Sequence, residues 1–146
     1  MSSPKSSARQ VALQALYQWQ VTGQNLEELQ QQFEGDPEYG KFHKNFFIGL
    51  LTGVVDKISD LDTVISEFTS RDLEKIDPIE KAVLRLGSYE LLFKPEVPYR
   101  VAINESVKLA KRFGSSKSHT FVNSVLDKIA KKVRAVEINA NIKKVK

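Results

Sequence analysis

The 146-residue chain contains no cysteine, one methionine, one tryptophan and only two histidines. Without a thiol there is no disulfide, no thiolate metal site and no cysteine nucleophile. The histidines, His43 and His119, fall in separate predicted helices, and neither sits in a metal spacing such as HExxH. Hydrolases and transferases need a convergent set of ionisable groups, and nothing in the sequence assembles one. No catalytic residue, metal or cofactor is therefore expected. Long apolar runs are missing as well: the longest, FFIGLLTGVV from Phe46 to Val55, falls well short of the ~20 residues a membrane-spanning helix requires. The N-terminus, MSSPKSSARQ, is polar and lacks the apolar centre of a secretory signal. A soluble, cytoplasmic protein with no membrane partner is the expectation.

What remains is ordinary globular material, 41% hydrophobic and 27% charged, long enough to bury roughly 68–70% of the surface its unfolded chain would expose. Apolar residues recur at helical spacing. Ala8, Val11, Ala12, Ala15, Leu16 and Trp19 form one stripe of a first helix that Gly23 ends. Leu26, Leu29 and Phe33 predict a short second helix stopping near Gly35-Asp36-Pro37. A third runs from about Gly40 to Ile58 with Phe42, Phe46, Leu50, Gly53 and Val54 inward, and a fourth carries Leu61, Val64, Ile65 and Phe68. Gly49 and Gly53 form a GxxxG that reads as close helix–helix approach within a soluble core.

The clearest start is Asp77-Pro78-Ile79-Glu80, where an Asp N-cap, a proline in the first turn and Glu80 two residues later satisfy or remove orphan amide donors. This helix should reach Phe93, before a Lys94–Pro98 turn with two prolines. The next spans Tyr99 to Phe113, and the last runs from Ser116 or Ser118 to about Val133. No period-2 run intervenes, so the predicted class is all-α, about seven helices in two small packed bundles within one domain, 1–146. The sub-bundles are predicted at about 6–68 and 69–134. Residues 135–146 read as a flexible, solvated tail, Lys143, Lys144 and Lys146 included.

Charge is unevenly spread. From Lys108 onward there are eleven Lys/Arg against two acids, a net of +9, while residues 1–107 carry −5. A concentrated positive end attracts polyanions, nucleic acid first. Gly114-Ser115-Ser116-Lys117-Ser118 is no nucleotide-triphosphate loop, since the first glycine is missing and a helix precedes it. Serine hydroxyls, Lys117 and free amides at a helix start nonetheless suit one backbone phosphate. Phe113 and Phe121 flank that turn as candidate stacking rings for unpaired bases, with core packing the alternative for Phe113. On the first helix, Arg9, Leu13 and Tyr17 form a strip beside the buried stripe, expected to put Arg9 and Tyr17 on one exposed surface, with Lys5 on a flexible arm before them. The opposite field lies between residues 24 and 80, with thirteen acids and five bases, Glu74, Asp77 and Glu80 gathered at the capped start. Acids there complement the helix dipole, and a basic partner protein is the other use.

ARQVALQALYQWQ at Ala8–Gln20, IEKAVLRLGSYEL at Ile79–Leu91, and VPYRVAINESVKLAKRFG through FVNSVLDK at Val97–Lys128 closely resemble the family of the bacterial transcription antitermination factor NusB. The resemblance covers the chain from Ala8 to about Arg134. It implies an all-helical, non-enzymatic protein that binds the boxA element of ribosomal RNA leader transcripts, paired with NusE, a ribosomal small-subunit protein, and that acts with RNA polymerase and other Nus factors. By motif position it places Arg9, Tyr17, Phe113, Lys117, Ser118 and Phe121 on the RNA face, with Lys5 on the arm ahead of them, and Glu74 and Glu80 on the NusE face. The chain departs from the family twice. An arm that is often arginine-rich reads SSPKSSAR, and Lys117 stands where relatives can carry an acid. Two other classes compete: the helical domain that precedes some RNA cytosine methyltransferases, for which no glycine-rich cofactor unit is present, and a purely protein-binding helical module.

Overall fold

The structure, a computed structural model, describes residues 3–35 and 41–145, with side chains as far as residue 142. Among them every regular element is helical: α1 (Pro4–Thr22), α2 (Leu26–Gly35), α3 (Lys44–Asp56), α4 (Ile58–Glu67), a single 3-10 turn (Leu73–Lys75), α5 (Pro78–Phe93), α6 (Tyr99–Phe113), α7 (Ser118–Val133) and α8 (Ala135–Val145). The expected stop at Asp36-Pro37 and the expected third-helix start at Gly40 lie outside the described residues.

The ends of these helices follow from single side chains. Asp77 Oδ1 accepts the amides of Ile79 and Glu80 at 2.9 and 3.2 Å, with Pro78 behind it, so α5 starts where the sequence says. The same grammar operates at Ser3-Pro4, where Ser3 Oγ accepts the Ser6 amide at 3.1 Å. Consequently the segment predicted as a flexible arm is the first turn of α1, and Lys5 is helical. Gly23 closes α1 in the left-handed region, at φ 67°, its amide donating to the Trp19 carbonyl; a side chain there would be strained. His43 caps α3 through Nδ1, which accepts the Phe46 amide at 3.1 Å.

Helix α5 is the hub. It packs against α1, α3 and α4 on one side and against α6 and α7 on the other. As a result the apolar side chains of both halves, from Ala8 on α1 to Ala130 on α7, form one contiguous buried cluster. Each fully buried leucine in it contributes about 1.5–3 kcal/mol relative to exposure. Gly53 lies against the Tyr89 ring, whereas Gly49 faces open space, so one glycine of the GxxxG serves helix approach.

The C-terminal segment, expected to be flexible, is instead helix α8, and buried Arg134 explains how it is held. Its guanidinium donates to the carbonyls of Leu91, Val97, Glu90 and Lys94 at 2.8–3.1 Å and pairs with Glu137. Glu137 Oε2 in turn accepts the Tyr99 amide at 3.0 Å, capping α6. One ion pair thus satisfies the carbonyls at the end of α5 and an orphan amide at the start of α6.

Candidate nucleic-acid interface

The end of α6, just before the turn into α7, sits beside α1. Arg112 Nη1 donates to Gln10 Oε1 at 3.1 Å across the two helices. A groove of about 280 Å3 has both Tyr17 of α1 and Phe113 of α6 in its wall, floored by Leu13, Phe33 and Ile79. A second, more polar groove of about 630 Å3 runs between the start of α1 and α6, lined by Ser6, Gln10, Lys108 and Arg112. Tyr17 is 37% exposed, Phe113 is half-buried, and Lys111, Arg112 and Lys117 are exposed at the same end of the molecule. Cations and rings from two segments about a hundred residues apart therefore share one surface.

Close approach at the turn depends on Gly114. A methyl group there would meet the Ser118 side chain at 2.6 Å and the Ala110 carbonyl at 2.7 Å. With no side chain, the chain reverses tightly enough for Ser118 Oγ to accept the Ser115 amide at 3.0 Å.

Several candidate residues occupy places the sequence did not indicate. Arg9, expected on the exposed strip, is 5% exposed. Its Nε and Nη2 grip Glu90 at 2.9 and 2.7 Å, Glu105 lies 3.8 Å from Nη1, and the Phe46 ring covers it at 4.9 Å. A stripe read only from α1 has no information about carboxylates arriving from α5 and α6. Leu13, the next residue of that strip, is fully buried, leaving only Tyr17 of the three at the surface. Lys5 is exposed, its ammonium 5.4 Å from the Phe46 ring centroid.

Ser118, expected to offer its hydroxyl to a phosphate, is 1% exposed and donates that proton to Glu80 Oε2 at 2.7 Å. Glu80, expected on an outward acidic shoulder, is correspondingly buried and bonded inside the protein. Glu74 is exposed as expected. The free surface of Phe121 is also taken: the Arg71 guanidinium lies over its ring at 4.1 Å and 3.5 Å from Glu80 Oε1. Arg71, Lys108, Lys111 and Arg112 join the site from the structure. Lys108 and Arg112 were legible as an i, i+4 pair, whereas Arg71, in an irregular segment rich in acids, gave no periodic signal.

The remaining chemistry is sparse. Among the described residues no group of three or more His, Cys, Asp or Glu is placed to hold a metal ion, and no helix is long and apolar enough to cross a membrane.

The model of the NusB family matches residues 6–131. The transcription antitermination protein NusB of Nitrosococcus oceani is 45% identical over 140 residues, covering 96% of this chain and 94% of its own. Among solved structures, NusB of T. maritima superposes with a TM-score of 0.77 at 33% identity, covering 90% of this chain and 93% of that one. A chain from the crystal structure of antitermination factors NusB and NusE in complex with double-stranded RNA superposes with a TM-score of 0.78 at 28% identity, over 90% of this chain and 99% of its own. With a family match reaching from α1 into α7, and relatives aligned almost end to end, the chain belongs to the NusB family of transcription antitermination proteins.

Proposed function

We propose that this chain acts without catalysis, binding the boxA element of ribosomal RNA leader transcripts together with NusE, and that the pair joins RNA polymerase and other Nus factors. The observation that carries this reading is the contact between the C-terminal end of α6 and α1, the Arg112–Gln10 bond beside the groove shared by Tyr17 and Phe113. An unpaired strand crossing there meets Lys5, Lys108, Arg112 and Lys117 for its phosphates and two rings for its bases, each stacked base being worth about 1–3 kcal/mol. Arg9 supports this face from below by tying α1 to α5. Ser118 fixes the turn from inside.

For NusE, exposed Glu74 is the surface residue of the pair proposed, and Glu80 acts beneath it. Because Glu80 holds Ser118, Glu80→Ala should perturb both faces rather than the protein partner alone. A solved relative captured with NusE and double-stranded RNA supports the choice of partners. The test is a binding titration of boxA RNA, a scrambled strand and a duplex, with and without NusE. Preference for boxA, raised by NusE by the same factor by which RNA raises NusE affinity, is expected. Equal affinity for boxA and its scrambled control would sink the reading.

A further inference from the structure

We propose that Arg71 is the stacking platform of the turn: an unpaired base lies on the outer face of its guanidinium, not on Phe121. The proposal deepens the RNA-binding reading above and rests on it. Phe121 is half-buried and packs one side on the core, while the Arg71 guanidinium occupies the other at 4.1 Å. That is the tightest cation-over-ring contact among the described residues, the others lying at 4.9–5.9 Å. A base reaching Phe121 directly would first have to displace this cation.

Among the described residues, the guanidinium is held on one face and one edge. The ring backs it, Glu80 Oε1 stands 3.5 Å from Nη1, and Glu80 is itself fixed through Ser118. The Arg71 side chain is still 52% exposed, which leaves the outward face open. A planar, weakly hydrated cation already anchored beneath is well suited to a nucleobase, because little side-chain freedom is lost on binding. Lys117 lies one helical turn before Phe121, so a phosphate of the same nucleotide falls beside its ammonium. Stacking of this kind also selects unpaired strands, since a base within a duplex has both faces occupied.

The test uses the full chain with single-stranded boxA RNA, a series of the same RNA with one abasic position each, and titrations at several salt concentrations. Arg71→Lys keeps the charge and removes the plane. It should weaken binding about tenfold without changing the salt slope. Arg71→Ala should weaken binding at least as much, again with the salt slope unchanged, because the phosphate is assigned to Lys117. One abasic position that weakens wild-type binding about tenfold should have no further effect on Arg71→Lys. Three outcomes would overturn the proposal: affinity of Arg71→Lys within twofold of wild type, abasic losses undiminished at every position, or an effect confined to NusE binding. A wild-type protein indifferent to boxA fails the underlying reading instead, and the two failures are distinct.

Discussion

The two ends of α7 look alike in sequence, and the fold treats them differently. Around the start, at the end of α6 and in the turn, Lys111 and Lys117 have no carboxylate within ion-pair distance among the described residues, and Arg112 reaches a glutamine and the Phe113 ring. At the far end, roughly 24 Å along the helix, Lys131 pairs with Asp127 at 3.1 Å, Lys132 with Glu67 at 2.6 Å, and Arg134 is buried under four carbonyls and Glu137. One end keeps its positive charge unpaired by carboxylates. The other spends it on the fold. A net charge counted along the chain thus overstates the binding surface, because neutralising groups arrive from segments that are remote in sequence.

Substitutions can break or sharpen this contrast. The largest effect is expected at Arg134→Met, which strands buried carbonyls and uncaps α6 through Glu137. A loss at the upper side of about 3–5 kcal/mol, read from denaturant melts, should leave the RNA affinity of the folded fraction unchanged. Lower RNA affinity at unaltered stability would erase the distinction between the ends. Glu90→Ala comes next. It leaves buried Arg9 with only the 3.8 Å contact to Glu105 as a carboxylate partner and should destabilise by about 3 kcal/mol, whereas the double change Arg9→Met with Glu90→Leu should recover most of that loss. A double variant no more stable than the single one would mean that the pair is not what limits stability.

Smaller and purely functional is Lys117→Ala, whose stability should stay within about 0.5 kcal/mol of the parent while the salt slope for single-stranded RNA flattens by about 0.7. An unchanged slope would remove Lys117 from the phosphate path. Smallest of all is Lys131→Ala, an exposed i, i+4 pair at the opposite end. Neither melting nor RNA titration should move beyond about 0.5 kcal/mol. A slope change there as large as at Lys117 would show that the strand extends along the whole helix.

Much was legible before any coordinates because it depends on neighbours in sequence. Helix α5 begins at Asp77-Pro78 since a carboxylate two residues away can reach its first free amides, and α1 stops at Gly23 since its backbone must turn left-handed there. Ser3-Pro4 obeys the same local rule, so the helical start of α1 is also written in its neighbours. The apolar stripe of α1 likewise placed Ala8, Val11, Ala12, Ala15 and Leu16 in the core. What needs another segment to arrive stayed hidden, such as the helix α8, secured through Arg134 by the distant carbonyls of α5 and the α5–α6 turn.

By itself, then, the sequence determined the all-α class and most helix ends, consequences of spacing along one chain, and it carried the motifs whose resemblance named the family. Only tertiary structure decided which charged groups remain available. Arg9 and Glu80 read as surface residues in their own helices and are internal because Glu90 and Ser118 meet them from other helices. Arg71 is unremarkable in sequence and becomes the best-placed cation near Phe121. The physical reason is that a charge leaves water only where an opposite charge or a full set of hydrogen bonds is waiting, and those partners are supplied by the fold.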